Sequence, residues 1–479
     1  MKKMVLREGD EGVRLLIHDG GSRQGRSVHP PSVASRSPIH VVYGGAHLFS
    51  RDTAAKLGSI ALRTLDSLIS DHLEFTAALG MDEHGSYEGP GKEAGQLART
   101  PPKEKDLLDF DSVSESLFSE VYARTRQKLI EEPVEDLRID FEDGYGFRSD
   151  EEEDLHAKQA ALELAASVKL GTSSPFTGVR IKSYSLATRR RAKRTLRIFL
   201  RTIIENLKGP LPENFVVTLP KVSERKQVGA LSRDLRKFEK EFGIKGNSIG
   251  VELMVEDPRA LIDNKGFLHL RSLAEAAEGR CVAAHFGAYD YTASIGIAAA
   301  EQDINHPACD FARNIMLLTL RPAGIRLSDS ITARLPVPVY RDSQITKEMA
   351  EANRSAILSG WRLHYSNVTR SLANGFYQSW DLHPNQLVPR YAAVYRFFLV
   401  SANEQGRRLR AFVDAASQAT LTGTAFDDAA TALGIVKFFR LGLDCGALRE
   451  HDVAASSGLS IEDLKSYEAN GFQLSRDRL

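Results

Sequence analysis

Three carboxylates within four residues, Asp140, Glu142 and Asp143, close the apolar run of LRIDFEDGYGF and precede Gly144. Acids crowded at a strand end can orient a guanidinium, hold a metal-bound water or carry a proton. Like charges this close raise one another's proton affinity unless cations answer them. The arrangement recurs downstream. Apolar runs end near Arg180 in VRIKS, Lys221 in VVTLPKV, Glu256 in VELMVED, Asp290 in AAHFGAYD and His383 in WDLHP. Acidic and basic groups behind successive apolar runs predict one polar site assembled from many strand ends.

Glu256 and Asp290, at the ends of the fifth and sixth predicted strands, form a pair of carboxylates of the kind that holds Mg²⁺, with Mn²⁺ as the alternate. Such ions take oxygen ligands and keep several waters. Glu252 alternates to the same strand face as Glu256 and is a rival ligand, while a plainer reading makes Glu256 a helix cap or salt-bridge partner before Pro258. Arg180 offers a planar fork for a carboxylate or enolate, or else a surface ion pair. Asp140, Glu142 and Asp143 are placed to support it. Lys221 either contacts substrate or neutralises the acids. His383 is a candidate substrate contact, although neither it nor His285 has a partner at metal-ligand spacing, which also suits a hydrogen-bonded structural role.

These residues need a scaffold. IHVVYGGAHLF and the run ending at Asp140 predict the first two strands, and six more follow at 178–182, 215–222, 249–256, 281–287, 324–328 and 379–383. Helical patterns separate them, among them 188–207, 224–242, 258–277, 308–322 and 346–374. Strands regularly alternating with helices predict parallel β/α units, and eight of them a closed (β/α)₈ TIM barrel of the α/β class. The weakest strand is GIRLSD. The barrel is expected over residues 38–390, after a Gly-, Ser- and Pro-rich extension at 1–37. A polar insertion at 80–125 follows the first strand, and a helical C-terminal extension or lid spans 391–479.

The chain has 479 residues, with 63 Lys plus Arg against 63 Asp plus Glu, so no overall field draws it to nucleic acid or to a membrane. The three cysteines show no CxxC spacing, which argues against a disulfide framework or a structural zinc site. The sequence contains neither a signal-peptide core nor a run of about 18 apolar residues, and a cytoplasmic protein is expected. The one strongly basic run, TRRRAKRTLR at 188–197, reads either as a solvated helix face or as a grip on the phosphates of a coenzyme A thioester.

From about residue 38 to 390 the order of motifs resembles the HpcH/HpaI aldolase and citrate lyase β-subunit superfamily, which includes malyl-coenzyme A lyases. IDFEDGY is similar to the DLEDAV segment of that family, VRIKS to VRVN, TLPKV to LPKV, and LMVEDPRAL to LIETARGL. HFGAYDYTASIG follows FGxEDLAADLG, AGIRLSDS follows AGIQAID, and NGFYQSWDLHPNQL follows GFDGKWAIHPDQI. The resemblance implies Glu256 and Asp290 as metal ligands, Glu256 rather than Glu252, and Arg180 as the contact to carbonyl and enolate oxygens. Asp140, Glu142 and Asp143 correspond to its supporting acids. Where coenzyme A-dependent members carry LDGKMID on a segment that closes over a neighbouring subunit, this chain has AFDDAATALG, with Asp427 in the place of the acidic catalytic residue. Asp257 and Lys182 depart from the Thr and Asn of the family pattern.

The expected activity is that of a Mg²⁺-dependent carbon–carbon lyase or aldolase acting on a 2-oxo acid or acyl-coenzyme A through a stabilised enolate, in a homo-oligomer. The alternatives are phosphoryl or acyl transfer on pyruvate or phosphoenolpyruvate, and a noncatalytic binding protein on the same barrel.

Overall fold

A computed structural model describes residues 36–81, 104–341, 344–417 and 429–470. Eight strands pair in sequence order into a closed, wholly parallel barrel: β1 His40–Gly45, β2 Asp136–Asp140, β3 Phe176–Arg180, β4 Phe215–Leu219, β5 Gly250–Val255, β6 Cys281–Phe286, β7 Arg326–Ile331 and β8 Gln378–Asp381. The expected (β/α)₈ fold is the fold observed.

Helices α1 Thr53–Leu68, α2 His72–Leu79 and α3 Glu104–Glu131 lie between the first two strands. Residues 82–103 of the expected insertion fall outside the described residues. Next come α4 Asp150–Leu170, α5 Arg189–Leu207 and α6 Arg225–Phe242. The acids of DEEED occupy the first turn of α4, where they suit the positive end of the helix dipole and Ser149 and Glu152 form a capping box.

The helix expected over 258–277 is two pieces, α7 Pro258–Leu261 and α8 Leu270–Ala276. Between them Asp263 Oδ1 accepts from the amides of Lys265 and Phe267, each at 2.9 Å, and Ile262 bridges Leu268. That Asx turn in DNKG competes with helical hydrogen bonding and wins. Then follow α9 Ala288–Ser294, α10 Pro307–Leu320 and α11 Lys347–Ala373. The weak seventh strand begins two residues later than expected because Gly324 closes the preceding 3₁₀ turn. Its register with β8 is irregular between Ser328 and Ile331.

The C-terminal extension forms α12 Leu387–Ser417, α13 Ala429–Asp444, α14 Glu450–Ser457 and α15 Ile461–Asn470. Its apolar side chains, including Phe398, Phe439 and Leu464, share one core with Ile39 and Leu137 of the barrel and with Trp361 of α11. The extension therefore packs on the barrel flank next to β1 and β2. A second core joins the outward faces of β2 to β7 to the surrounding helices. Among the described residues no helix is long and apolar enough to cross a membrane, and all three cysteines are free and buried.

Charged groups hold the seam where the barrel closes. Asp381 of β8 is fully buried and receives His40 Nδ1 at 2.8 Å and Arg390 Nη2 at 2.7 Å, with His364 Nε2 at 2.9 Å. Burial alone would raise its carboxyl, but the Arg390 charge and both histidines hold it well below the ordinary range. Asp381→Asn leaves Arg390 buried without its anion, so unfolding free energy is expected to drop by about 3–5 kcal/mol in a urea titration. A loss below about 1 kcal/mol would show that this network contributes little.

Candidate active site

Alternation along each strand decides which side chains enter the barrel. On β2 these are Asp136, Arg138 and Asp140, and register pairs Asp140 with Arg180 at the carboxyl ends of β2 and β3. Asp140 accepts four hydrogen bonds. Arg180 donates through Nε at 2.7 Å and Nη2 at 2.5 Å, the Glu142 amide at 2.9 Å and the Gly144 amide at 2.7 Å. A Cβ on Gly144 would lie 2.6 Å from Asp140 Oδ2, which explains a glycine directly after the acids. The bidentate pair fixes the plane of the guanidinium. Its face rests on the Tyr43 ring, 4.9 Å from the centroid, and Tyr43 stacks on Trp380 at 4.6 Å.

The remaining edge of Arg180 faces the acids: Nη1 lies 3.4 Å from Glu142 and 3.7 Å from Asp143. Lys221 Nζ meets the same pair, at 2.9 Å from Glu142 and 3.1 Å from Asp143. Burial lifts the Glu142 carboxyl above its usual range against the pull of Arg180. Asp143 is also disfavoured by burial, yet its hydrogen bond to Glu142 and the charges of Arg180 and Lys221 hold it below that range. The two acids thus diverge, and Glu142 is the one that keeps a proton longer.

Lys221 does a second job through its backbone. It adopts φ 52°, a left-handed conformation that is uncommon for a residue with a side chain, and its amide donates to Glu256 Oε1 at 2.5 Å. Glu256 is 4% exposed. Burial first, then the Asp290 charge, push its carboxyl up to about 8. Asp290 does not end β6 as expected; it lies four residues on, exposed in the first turn of α9, with no hydrogen-bond or ion-pair partner among the described residues. Gly287 permits this approach, since a Cβ there would stand 2.7 Å from Glu256 Cβ and 2.9 Å from its Oε2.

Glu252, the rival ligand, is on the same strand face but one layer deeper. Arg138 Nη2 at 2.8 Å, Thr218 at 2.7 Å and Tyr43 Oη at 3.1 Å donate to it, and His285 Nε2 lies 2.8 Å away. Despite burial, Arg138 and His285 hold its carboxyl well below the ordinary range, so Glu252 is a satisfied anion. Glu256 lacks such partners. His285 belongs to the same inner layer, as the structural reading held. His383 caps the 3₁₀ turn Pro384–Gln386, its Nδ1 accepting from the Asn385 amide at 3.2 Å. The basic run opens α5 on the outer face of the barrel, and Asp427 lies outside the described residues.

The structure therefore brings Arg180, Asp140, Glu142, Asp143 and Lys221 into one charged cluster, with Glu256 and Asp290 adjoining it. Tyr43, the platform under Arg180, is the residue that sequence reading missed. Its signal was available in the alternation Val41, Tyr43, Gly45 on β1, which sends the ring inward. Donor chemistry can be tested directly. Among the described residues no three His, Cys, Asp or Glu side chains gather at ligand spacing, but a buried carboxylate and an exposed, unpaired one form a two-acid set that fits a hard, oxygen-seeking divalent cation.

Charged groups converging at the carboxyl ends of parallel strands define a (β/α)₈ barrel of the kind that houses enzyme active sites. The chain belongs to the family described as Domain of unknown function (DUF6986), whose model matches residues 22–471. No curated protein matches it in sequence. A citrate lyase structure from Burkholderia xenovorans LB400 shares 19% identity, covering 70% of this chain and 92% of its own, with a TM-score of 0.50. A Haloferax volcanii malate synthase magnesium/glyoxylate complex is similar at 17% identity, 54% and 66% coverage and TM-score 0.39. An HpcH/HpaI aldolase/citrate lyase family protein from Burkholderia cenocepacia J2315 follows at 13% identity, 60% and 89% coverage and TM-score 0.31. The fold of the citrate lyase is the fold expected from the motif order.

Proposed function

We propose that this protein is a Mg²⁺-dependent carbon–carbon lyase or aldolase that acts beside the carbonyl of a 2-oxo acid. The observation that carries the reading is a buried carboxylate, Glu256, that makes no side-chain ion pair among the described residues and lies within the field of a guanidinium fixed in plane by Asp140. Glu256 and Asp290 would hold the cation, which when bound supplies charge stabilisation to a carbonyl oxygen.

The chain's own groups account for the rest. Cleavage breaks a carbon–carbon bond and leaves its electron pair as an enolate. Arg180 presents its Nη1 edge to that developing charge, already oriented by Asp140 and Tyr43, so little reorganisation is needed. The hydroxyl proton on the departing carbonyl fragment passes to Glu142, whose affinity for protons burial has raised. Lys221, 2.9 Å away, steadies the carboxylate before it takes that proton. His383 and Lys221 are the further contacts for the substrate's acidic end. An acyl-coenzyme A remains the second substrate class consistent with enolate chemistry.

A thermal-shift screen of 2-oxo acids and acyl thioesters, with and without Mg²⁺, tests the proposal. A ligand that stabilises only in the presence of metal is the expected result. Release of pyruvate or glyoxylate distinguishes lyase chemistry from phosphoryl transfer, which would release phosphate. Ligands that stabilise equally without metal would sink the reading. Gly287→Ala supplies an independent check: its Cβ forces Glu256 aside, so Mg²⁺-linked stabilisation should fall at least tenfold in metal affinity while the circular dichroism spectrum is kept.

A further inference from the structure

The outer surface of the barrel carries a groove of about 530 Å³ between α4 and α5 that the lyase reading leaves unused. Six cations line it: Lys158 from α4 and Arg190, Lys193, Arg194, Arg197 and Arg201 from α5. The five from α5 recur at helical spacing on one face, spread over about 16 Å of helix. No acid lines the groove. Three acids grip these cations from its margins: Asp234 binds Lys193 at 2.7 Å, Asp154 binds Arg194 Nε at 2.9 Å, and Glu241 binds Arg197 at 2.5 Å and Arg201 at 3.3 Å.

Two consequences follow. The paired arginines are held in fixed poses, and the groove keeps a surplus of positive charge. Lys158 and Arg190 have no acidic partner among the described residues. A merely solvated helix face would gain nothing by collecting unanswered cations around a concavity, since their mutual repulsion opposes it.

We infer that this groove binds a compact polyphosphate, with a nucleoside triphosphate as the form that suits it best. Guanidinium forks match phosphate oxygens in pairs, and the volume is that of a small-molecule site. The floor supplies the other half of the argument. Ile198 and Thr202 lie between the charged stems, and Lys158 shares its stripe of α4 with the exposed Leu155 and Leu162. An apolar shoulder beside a phosphate grip is suited to a nucleobase. Nucleic acid and anionic membrane fit less well, because Asp154, Asp234 and Glu241 border the groove and would repel an extended polyanion. The proposal is independent of the reaction at the strand ends.

The test is isothermal titration calorimetry on the full chain in about 0.15 M salt with EDTA, a screening length of about 8 Å. ATP, inorganic tripolyphosphate and a short DNA duplex are the probes. One ATP per chain is expected, weakened at least tenfold in the Lys158→Gln/Arg190→Gln double variant. Both positions are exposed and unpaired, so the variant should melt with the parent. ATP and tripolyphosphate binding alike would support a site for the phosphate chain alone; tighter ATP would support the nucleoside form. Unsaturable binding, tighter binding of the duplex, or a double variant that binds ATP as the parent does would each overturn the assignment.

Discussion

Arg180→Lys is expected to lower turnover of the substrate found in the metal-dependent screen by a factor of about 10²–10³, the usual loss when a fixed donor to a developing oxyanion is removed. Lysine keeps the charge but not the geometry. The two parallel bonds to Asp140 at 2.7 and 2.5 Å, and the flat contact with Tyr43, both depend on a planar guanidinium. The fold should survive, because Asp140 keeps the amides of Glu142 and Gly144 as donors. The measurement is steady-state kinetics beside a denaturant melt. A fall in kcat and in kcat/KM together is the pattern the proposed transition-state contact requires. If KM alone rises, Arg180 merely anchors substrate.

The second large effect concerns Glu256 and pH. Its carboxyl titrates at about 8 in the folded protein against an ordinary value of 4.5. Between those limits the folded state holds a proton that the unfolded chain has released. The contribution to stability is therefore fully present below pH 4.5 and is lost as pH rises to 8. The slope is up to about 1.4 kcal/mol per pH unit. Glu256→Gln removes that slope, so the variant should become progressively more stable than the parent as pH rises through this window. Mg²⁺ should work in the opposite sense on the parent, since it competes with the proton, and its stabilising effect should grow toward pH 8. Melting curves at several pH values, with and without metal, measure both. A variant that still gains stability from Mg²⁺ would remove Glu256 from the cation site.

Much of this was legible in the sequence because barrel strands buried on both faces read as short apolar runs, and their ends place charged residues at one mouth. The pairing of Asp140 with Arg180 follows from register between neighbours. The choice of Glu256 over Glu252 was not legible from alternation, which gives both the same face; what separates them is depth. Arg138, Thr218 and Tyr43 come from three other strands to satisfy Glu252, and no local pattern announces such a meeting. The left-handed backbone at Lys221 is equally silent, because a lysine carries no conformational mark of the kind a glycine does. The break between α7 and α8 was readable in Asp263 and the turn that follows it, but helical periodicity on either side masked it.

Tyr43 and Trp380 come from the two ends of the barrel domain, and their stacked rings lie on the seam where β1 meets β8. The ring beneath Arg180 is thus itself braced only when the last stave is set beside the first. A nascent chain lacking residues beyond β7 would already seat Arg180 between Asp140 and Tyr43 but without the brace of Trp380, so the last support arrives with ring closure.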